Sequence, residues 1–349
     1  MLKLKIILVL HRATNNYFLK TNQSHTEYRI EAYNAAHKSH WDNFVATAKN
    51  GTFLFRRDFM EYHSDRFQDA SQMIFKGDQL VAILPANLVG TICYSHQGLT
   101  YGGLVLSRKA KLTEVVLMFQ ALLISLKAKG IEQLQLKQLP VFYTLLPSEE
   151  IDYLAFVCNA KIFRVDAASV IDGRQRLPIQ SNRKEGVKKA SRQGLEIVET
   201  TDFTSFWKQI LEPNLSQRHD AAPTHSLEEI KKMAAHFPKQ IRQFNVMKEQ
   251  EIVGGATIFE TETTAHVQYI SANGQKQELG TLDFLFVHLI DDVFKAKKYF
   301  DFGISNESGG RKLNSGLNYW KECFGARTYV HRFYEFDTAS HHLLDDLSL

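Results

Sequence analysis

"NVMKEQEIVGGA", Asn245 to Ala256, reads as a strand, a tight turn and a second strand. "MIFKGDQLVAIL", Met73 to Leu84, has the same grammar, and one constant offset sets Lys76 against Lys248 and Val81 against Val253. The echo extends outward from both copies. Strand-like sequence follows, "LTYGGLVL" in the first and "AHVQYISA" in the second. A long apolar helix comes next, Thr113 to Lys129 in one copy and Thr281 to Lys298 in the other. Each helix leads into a strand, "IEQLQLKQL" or "YFDFGIS". A second helix and a closing strand, "FRVDAASVI" or "RTYVHRFYEF", complete the copy. This repeated β-β-β-α-β-α-β order predicts an α/β chain of two tandem units, 28–172 and 173–349, each a mixed β-sheet flanked by helices. Residues 1–27 read either as an ordinary strand or as an N-terminal extension.

Composition narrows the class. At 349 residues there is room for two domains, or for one fold built twice. A hydrophobic share of 44% against 23% charged residues is that of a globular chain with a sizeable core. The net charge of +4 is too slight to announce nucleic acid, so no DNA partner is expected. Cys93, Cys158 and Cys323 lie far apart with no CxxC pair, which predicts a reduced, cytoplasmic compartment and no metal cluster. In the opening "MLKLKIILVLHRATNN" the apolar run Ile6 to Leu10 is too short for a signal peptide, and His11 and Arg12 follow it. No run reaches the ~20 residues of a membrane span.

A second stretch, "YFDFGISNESGGRKLNSGLNYWKECFGAR" from Tyr299 to Arg327, carries the densest chemistry. Gly309 and Gly310 break a strand from a helix. From Arg311 the residues Leu313, Leu317, Trp320 and Phe324 recur at helical spacing, so one face is expected to pack, and Gly325 ends the helix. On that reading Asn314 and Lys321 share one edge of the buried face, two turns apart. Between the units, "IQSNRKEGVKKASRQGLEI" from Ile179 to Ile197 forms a helix with Lys184, Lys188 and Arg192 in a positive stripe. Such a stripe either holds phosphate or is a solvated face. Ser226 and Glu229 form a capping box for a later helix.

Taken together, the duplicated unit, the basic "RKEGVKKASRQGLEIVE" helix and the late "FDFGIS…GLNYWKECFGA" resemble the Fem-like branch of the GNAT acyltransferases. "SHQGLTYGGLV" and "HVQYISANGQKQELGTLDFLF" resemble the subgroup found among bacterial surface-polysaccharide genes. The resemblance implies a tandem GNAT fold that moves an acyl or aminoacyl group onto an amine. In acyl-CoA-dependent members the donor crosses the central strands with its pyrophosphate on a helix amino terminus, which here puts Gln268, Tyr269, Gln277, Gly280 and Thr281 at the donor. In peptidoglycan-bridge members the donor is an aminoacyl-tRNA and the acceptor a nucleotide-linked muropeptide. The resemblance also implies that a lysine just before Phe-Gly belongs to the active centre, and Lys321 holds that place. Two departures matter. Leu282 stands where the pyrophosphate loop has a small residue, and Asp283 would repel a phosphate. No helical-hairpin arm is present to hold tRNA.

Amide formation by acyl transfer requires a neutral amine, donors for the tetrahedral oxyanion and a proton for the leaving group. A bulge in "HVQYIS" would splay N–H groups for the oxyanion. His266, Gln268 and Ile270 share one face there, with Val267 and Tyr269 on the other. His266 is the candidate base, or else a strand histidine satisfied by its neighbours. Asp301, inside an aromatic strand, faces a cleft or forms a buried pair, and that pair with Lys321 would pin helix to strand. Tyr319 is the candidate leaving-group acid. His96 and Tyr101 in "SHQGLTYGG", Arg218 and His219 in "RHDAAPTHS", Lys188, Arg192 and Asn314 are the candidate acceptor-binding residues. No histidine pair stands at metal-ligand spacing. With no Gly-x-Ser-x-Gly elbow and no catalytic cysteine context, direct transfer without a covalent enzyme intermediate is expected.

The expectation is therefore an N-acyltransferase with no permanently bound cofactor. It would use acyl-CoA as co-substrate and an amine acceptor such as an amino sugar of a surface-polysaccharide precursor. One alternative is an aminoacyl-tRNA-dependent ligase acting on a cell-wall peptide precursor. The other is a non-catalytic tandem fold that binds a glycan precursor or a partner protein.

Overall fold

The computed structural model describes residues 27–219, 222–345 and 347, so the expected extension over 1–27 lies, but for Glu27, outside the described residues. One long sheet runs through both units. Its main strands are β1 (Gln133–Lys137), β2 (Lys161–Asp172), β3 (Leu195–Thr200), β4 (Ile241–Lys248), β5 (Glu251–Glu260), β6 (Thr264–Ala272), β7 (Tyr299–Ile304) and β8 (Arg327–Asp337). The order is β3-β4-β5-β6-β7-β2-β8-β1, continued by the short strands Ile92–Tyr94, Asn87–Val89 and Gln68–Asp69. A separate four-stranded sheet is formed by Tyr28–Ala32, Gln72–Lys76, Gln79–Leu84 and Val105–Leu106, in that order.

The four-stranded sheet is the first unit's copy of β3 to β6. Its hairpin slips register between Ile74 and Phe75, and the β4–β5 hairpin slips between Val246 and Met247, the same place in both. The copies then diverge. β6 is nine residues long, whereas "LTYGGLVL" contributes only Val105–Leu106 and an isolated parallel bridge from Gly102 to Gln138. Strand Ile92–Tyr94 takes the place beside β1 instead.

Each unit's closing strand is given to the other. β2, which ends the first unit, pairs with β7 of the second, while β8, which ends the chain's sheet, pairs with β1 of the first. β2 and β8 pair with each other between them. The middle of the sheet is thus woven from both halves.

Helix α1 (Leu112–Ala128) covers the first unit, with Val115, Phe119, Leu122 and Leu126 buried. α2 (Ser181–Arg192) and α3 (Thr281–His288) pack together on the second, and α3 widens into a π turn over Leu289–Val293 before the end expected at Lys298. α4 is Ser315–Glu322, not the helix from Arg311 that the spacing predicts. Lys312–Leu313 pairs with Asn306–Glu307 around a left-handed turn at Ser308, Gly309 and Gly310, and Asn314 caps α4 by accepting from the Leu317 N–H at 3.0 Å. Leu313 and Leu317 are exposed in consequence. Phe286, Phe300, Phe302, Trp320 and Phe324 form an aromatic cluster under α3 and α4, with Trp320 and Phe324 centroids 5.0 Å apart. Each fully buried ring contributes ~2 kcal/mol or more, so this cluster anchors the helix that carries Lys321.

Candidate active site

β6 and β7 run parallel for three residue pairs only, ending at His266 opposite Asp301. Beyond that pair they separate. On β6 the pairing with β5 steps from Val267 to Tyr269, so Gln268 is the extra residue of a bulge in "HVQYIS". On β7 the pairing with β2 jumps from Asp301 to Ile304, with Gly303 at φ +73°. A side chain at Gly303 would be strained in that left-handed conformation. The wedge between the strands is the head of a cavity of about 400 Å³.

At the crotch of the fork His266 Nδ1 lies 2.7 Å from Asp301 Oδ2. Tyr143 O–H donates to the same oxygen at 2.7 Å, and the Gly303 N–H donates to Oδ1 at 2.7 Å. Asp301 is only 2% exposed. Burial pushes its carboxyl up, but the His266 imidazole and the hydrogen bonds from His266, Tyr143 and Gly303 outweigh that and hold it below the ordinary value. An ionised carboxylate only accepts, so Nδ1 of His266 carries the hydrogen and Nε2 is left as the acceptor nitrogen at the cavity wall. Gln268 Oε1, on the bulge, is buried at the same wall without a partner.

Lys321 is 4% exposed and reaches the cavity from α4. Its Nζ donates to the carbonyls of Gly303 at 3.0 Å and Ile304 at 2.6 Å, where the β7 ladder is interrupted. The expected alternative, an ion pair with Asp301, is not what anchors it. Burial pushes its ammonium down to about 8, with the Asp301 charge opposing. Three N–H groups less two given to carbonyls leave one for a ligand.

No family model matches the chain, and no curated protein matches its sequence. Solved structures do match its architecture. FemX superposes with a TM-score of 0.64 at 10% identity, over 91% of this chain and 100% of that one. L-PGS from Bacillus licheniformis does so with 0.57 at 12% identity, over 91% and 98%. The chain shares its fold with FemX. A conserved protein of unknown function from Bacteroides thetaiotaomicron shares it, with a TM-score of 0.53 at 10% identity over 88% and 98%.

Within this Fem-like fold the donor residues expected from sequence are divided. A side groove of about 410 Å³, lined by Gln277, Lys276, Arg183 and Asn214, joins the fork through the shared residues Ile270, Leu317 and Trp320. Gln277 and Gln268 are therefore on one connected surface. Gly280 and Thr281 are not. A Cβ on Gly280 would lie 2.1 Å from the Gly186 carbonyl oxygen, because α2 sits across the amino end of α3, and Thr281 is buried. Arg183 of α2 pairs with Asp283 at 2.7 Å, and burial of that carboxyl pushes it up although Arg183 opposes. α2 thus covers Gly280, while Leu282 and Asp283 of the first turn of α3 line the side groove and bring a carboxylate to the place meant for a pyrophosphate. Tyr269 lies behind the sheet, its hydroxyl 3.0 Å from the His225 N–H and 2.6 Å from His225 Nδ1.

Other expected residues also fall elsewhere. Tyr319 is 58% exposed on the outside of α4, away from the cavity. Asn314 is spent on the α4 cap and a bond to Glu307. Lys188 pairs with Glu185 on the solvated face of α2, where Arg192 is exposed too. His96 is buried at φ +67° against His63, and Tyr101 walls the cavity with its hydroxyl turned to Thr52. Arg218 and His219 end a helix, and their side chains, like Asp220, lie outside the described residues. Among the described residues there is no group of three metal-ligating side chains. Nor is any helix among them long and apolar enough to cross a membrane.

Sequence reasoning passed over Tyr143, which arrives from the turn Val141–Tyr143 of the other unit. It also passed over Lys137, Arg164, Asp166 and His331 at the far end of the cavity. The available signal was alternation on β2, which places Arg164 and Asp166 on the face of the core residues Ala168 and Val170.

Proposed function

We infer that the chain is an N-acyltransferase whose reaction takes place at the β6–β7 fork. The observation that carries this reading is the His266–Asp301–Tyr143 chain opening onto the bulge at Gln268 and the ammonium of Lys321. The acceptor enters as the neutral amine, and His266 Nε2 takes a proton from its nitrogen as it attacks. The amine nitrogen bonds to the donor carbonyl carbon, and that carbonyl oxygen becomes an oxyanion. N–H groups freed at the bulge and the third N–H of Lys321 offset its charge. Collapse breaks the bond to the leaving group, which takes its proton back from the His266 imidazolium. Asp301 holds the tautomer this sequence requires.

The first donor is acyl-CoA, entering by the groove at Gln277, Lys276 and Trp320, and amino sugars and their nucleotide-linked forms head the acceptor panel. One observation favours a second donor. Asp283 in the first turn of α3 lines the side groove, and its carboxylate disfavours a CoA pyrophosphate in the N–H cradle of that helix end. An aminoacyl ester on tRNA, with a cell-wall peptide amine as acceptor, does not need that cradle.

The test is acyl transfer from acetyl-CoA, a longer acyl-CoA and aminoacyl-tRNA to a panel of amines, with Asp301→Asn as the site control. Transfer from a thioester that Asp301→Asn abolishes supports the first reading. Transfer from aminoacyl-tRNA alone supports the second. If no donor is consumed and none raises the melting temperature, the chain is a binding module.

A further inference from the structure

The end of the cavity remote from His266 has no part in this chemistry, yet it is built of charged groups. Lys137 of β1 and Arg164 of β2 both stand opposite Phe333 of β8, forming one row across the sheet. The Arg164 guanidinium lies 4.6 Å from the Phe333 ring centroid, and its Nε meets the two Asp166 oxygens at 2.9 and 3.0 Å. Asp166 is buried and fully engaged by that arginine. Lys137 has no carboxylate of its own. Its Nζ donates to the backbone carbonyls of Leu99 and Gln97. Burial, with Arg164 nearby, pushes the ammonium down to about 8, although Asp166 opposes.

His331 stands opposite Asp166 on β8 and is 7% exposed, with Nε2 unpartnered. Burial, then Lys137 and Arg164, hold it neutral, its pKa brought down to about 3. Two cations therefore share one carboxylate beside an orphaned imidazole nitrogen, and all four side chains line the same cavity. A part-buried cation in that position is under-compensated, and so is a buried polar nitrogen with no partner.

We propose that this end of the cavity binds an anionic group, a carboxylate or a phosphate, carried by the amine acceptor. Lys137 and Arg164 supply both the charge and the N–H donors. The acceptor would then span the cavity, anion at β1 and β2 and amine at His266. That the anion belongs to the acceptor rests on the acyl-transfer reading, whereas the anion site itself does not.

Titration calorimetry on the full chain with inorganic phosphate, and separately with acetate, tests the site at constant ionic strength set by chloride. One of the two should bind saturably. Lys137→Met and Arg164→Gln should each weaken it at least about tenfold, and Lys137→Arg should restore much of the binding. Preference for phosphate marks a phosphorylated acceptor, and preference for acetate marks a carboxylate. Melting curves establish that each variant folds, and Arg164→Gln carries the test where Lys137→Met does not. Binding of neither anion to the wild type, or binding unchanged in both variants, overturns the proposal. In the transfer assay, kcat/KM for glucosamine 6-phosphate over glucosamine should fall at least about tenfold in Lys137→Met if phosphate is the preferred anion. For acetate, the ratio for a dipeptide over its amide should fall likewise. Anion binding without any acyl transfer would sustain the site and refute the acyl-transfer reading.

Discussion

Asp301 determines which nitrogen of His266 can act. Asp301→Asn retains the shape but puts an amide where an acceptor-only carboxylate stood, so the imidazole can settle in the unproductive tautomer. Turnover should fall by ~10²-fold or more, with KM little changed, in steady-state assays of whichever donor proves active. The two cavity lysines set the alkaline behaviour. Both Lys321 and Lys137 have their ammonium brought down to about 8, so their charge is lost as pH rises through that value. The rate should decline above pH 8. The sign for stability is opposite: the folded state holds these protons less tightly than the unfolded chain, so rising pH from 8 towards the ordinary lysine range favours folding. Lys321→Met should slow turnover by roughly a hundredfold, the scale of one positioned charge, and move the alkaline limb. A variant as active as the wild type, measured by turnover at pH 7, would remove Lys321 from the chemistry.

At the scale of elements, the packing of α2 on α3 depends on two glycines. A Cβ at Gly186 would meet Asp283 Oδ2 at 2.1 Å, and one at Gly280 would meet the Gly186 backbone in a left-handed conformation, φ +70°. Gly280→Ala combines a backbone clash with an unfavourable φ, so urea unfolding should show a loss of ~2 kcal/mol or more. Its charged face behaves differently. Lys188 and Arg192 project into solvent and touch neither the fork nor the side groove. The double change Lys188→Gln with Arg192→Gln should leave the melting temperature and the donor KM where they were. A higher KM at low salt, relieved at high salt, would instead assign this stripe to phosphate binding. The stripe's periodicity is visible in sequence, but whether a helix face meets solvent or a ligand depends on what packs beside it.

Across the whole molecule, the seam between the units holds a set of buried histidines. His63 and His96 come from the first unit with ring centroids 5.0 Å apart, and His225 comes from the second. Tyr62 joins them, stacked 4.1 Å from His63 and 5.2 Å from His225. Burial brings His63 and His225 down to about 4 and His96 to about 3. Their folded values lie below the unfolded one, so this stability is complete above about pH 6.5 and drains as pH falls towards 4. At pH 5 each imidazole costs the folded state ~2 kcal/mol, a large part of a typical domain's stability when three act together. Acid titration followed by tryptophan fluorescence should give a cooperative loss of structure with a midpoint near pH 5. His63→Phe should lower that midpoint. A wild-type transition below pH 3 would mean that the seam admits water or relaxes on protonation.

The hairpin echo, helix α1, the bulge in the strand of His266 and the lysine before Phe324-Gly325 were all legible in the chain, whereas the alternation past that bulge was not, because the extra Gln268 puts Ile270 on the side of Val267. Each depends on periodicity or turn chemistry within a few residues, and such local preferences survive folding unchanged. The partners of those residues were not legible. Tyr143 reaches Asp301 across 158 positions of sequence. Lys137, Arg164 and His331 meet only because β2 and β8 are exchanged between the units. The start of α4 at Ser315 was decided by a capping bond and a two-residue ribbon that outweighed apolar spacing. The amino end of α3 carries a partial phosphate-loop sequence, and only the packing shows that α2 covers Gly280 while Leu282 and Asp283 stay on the side groove. Sequence spacing places a side chain on a face, but long-range burial determines what that face meets, because desolvating a charge or a helix end is costly enough to select one partner.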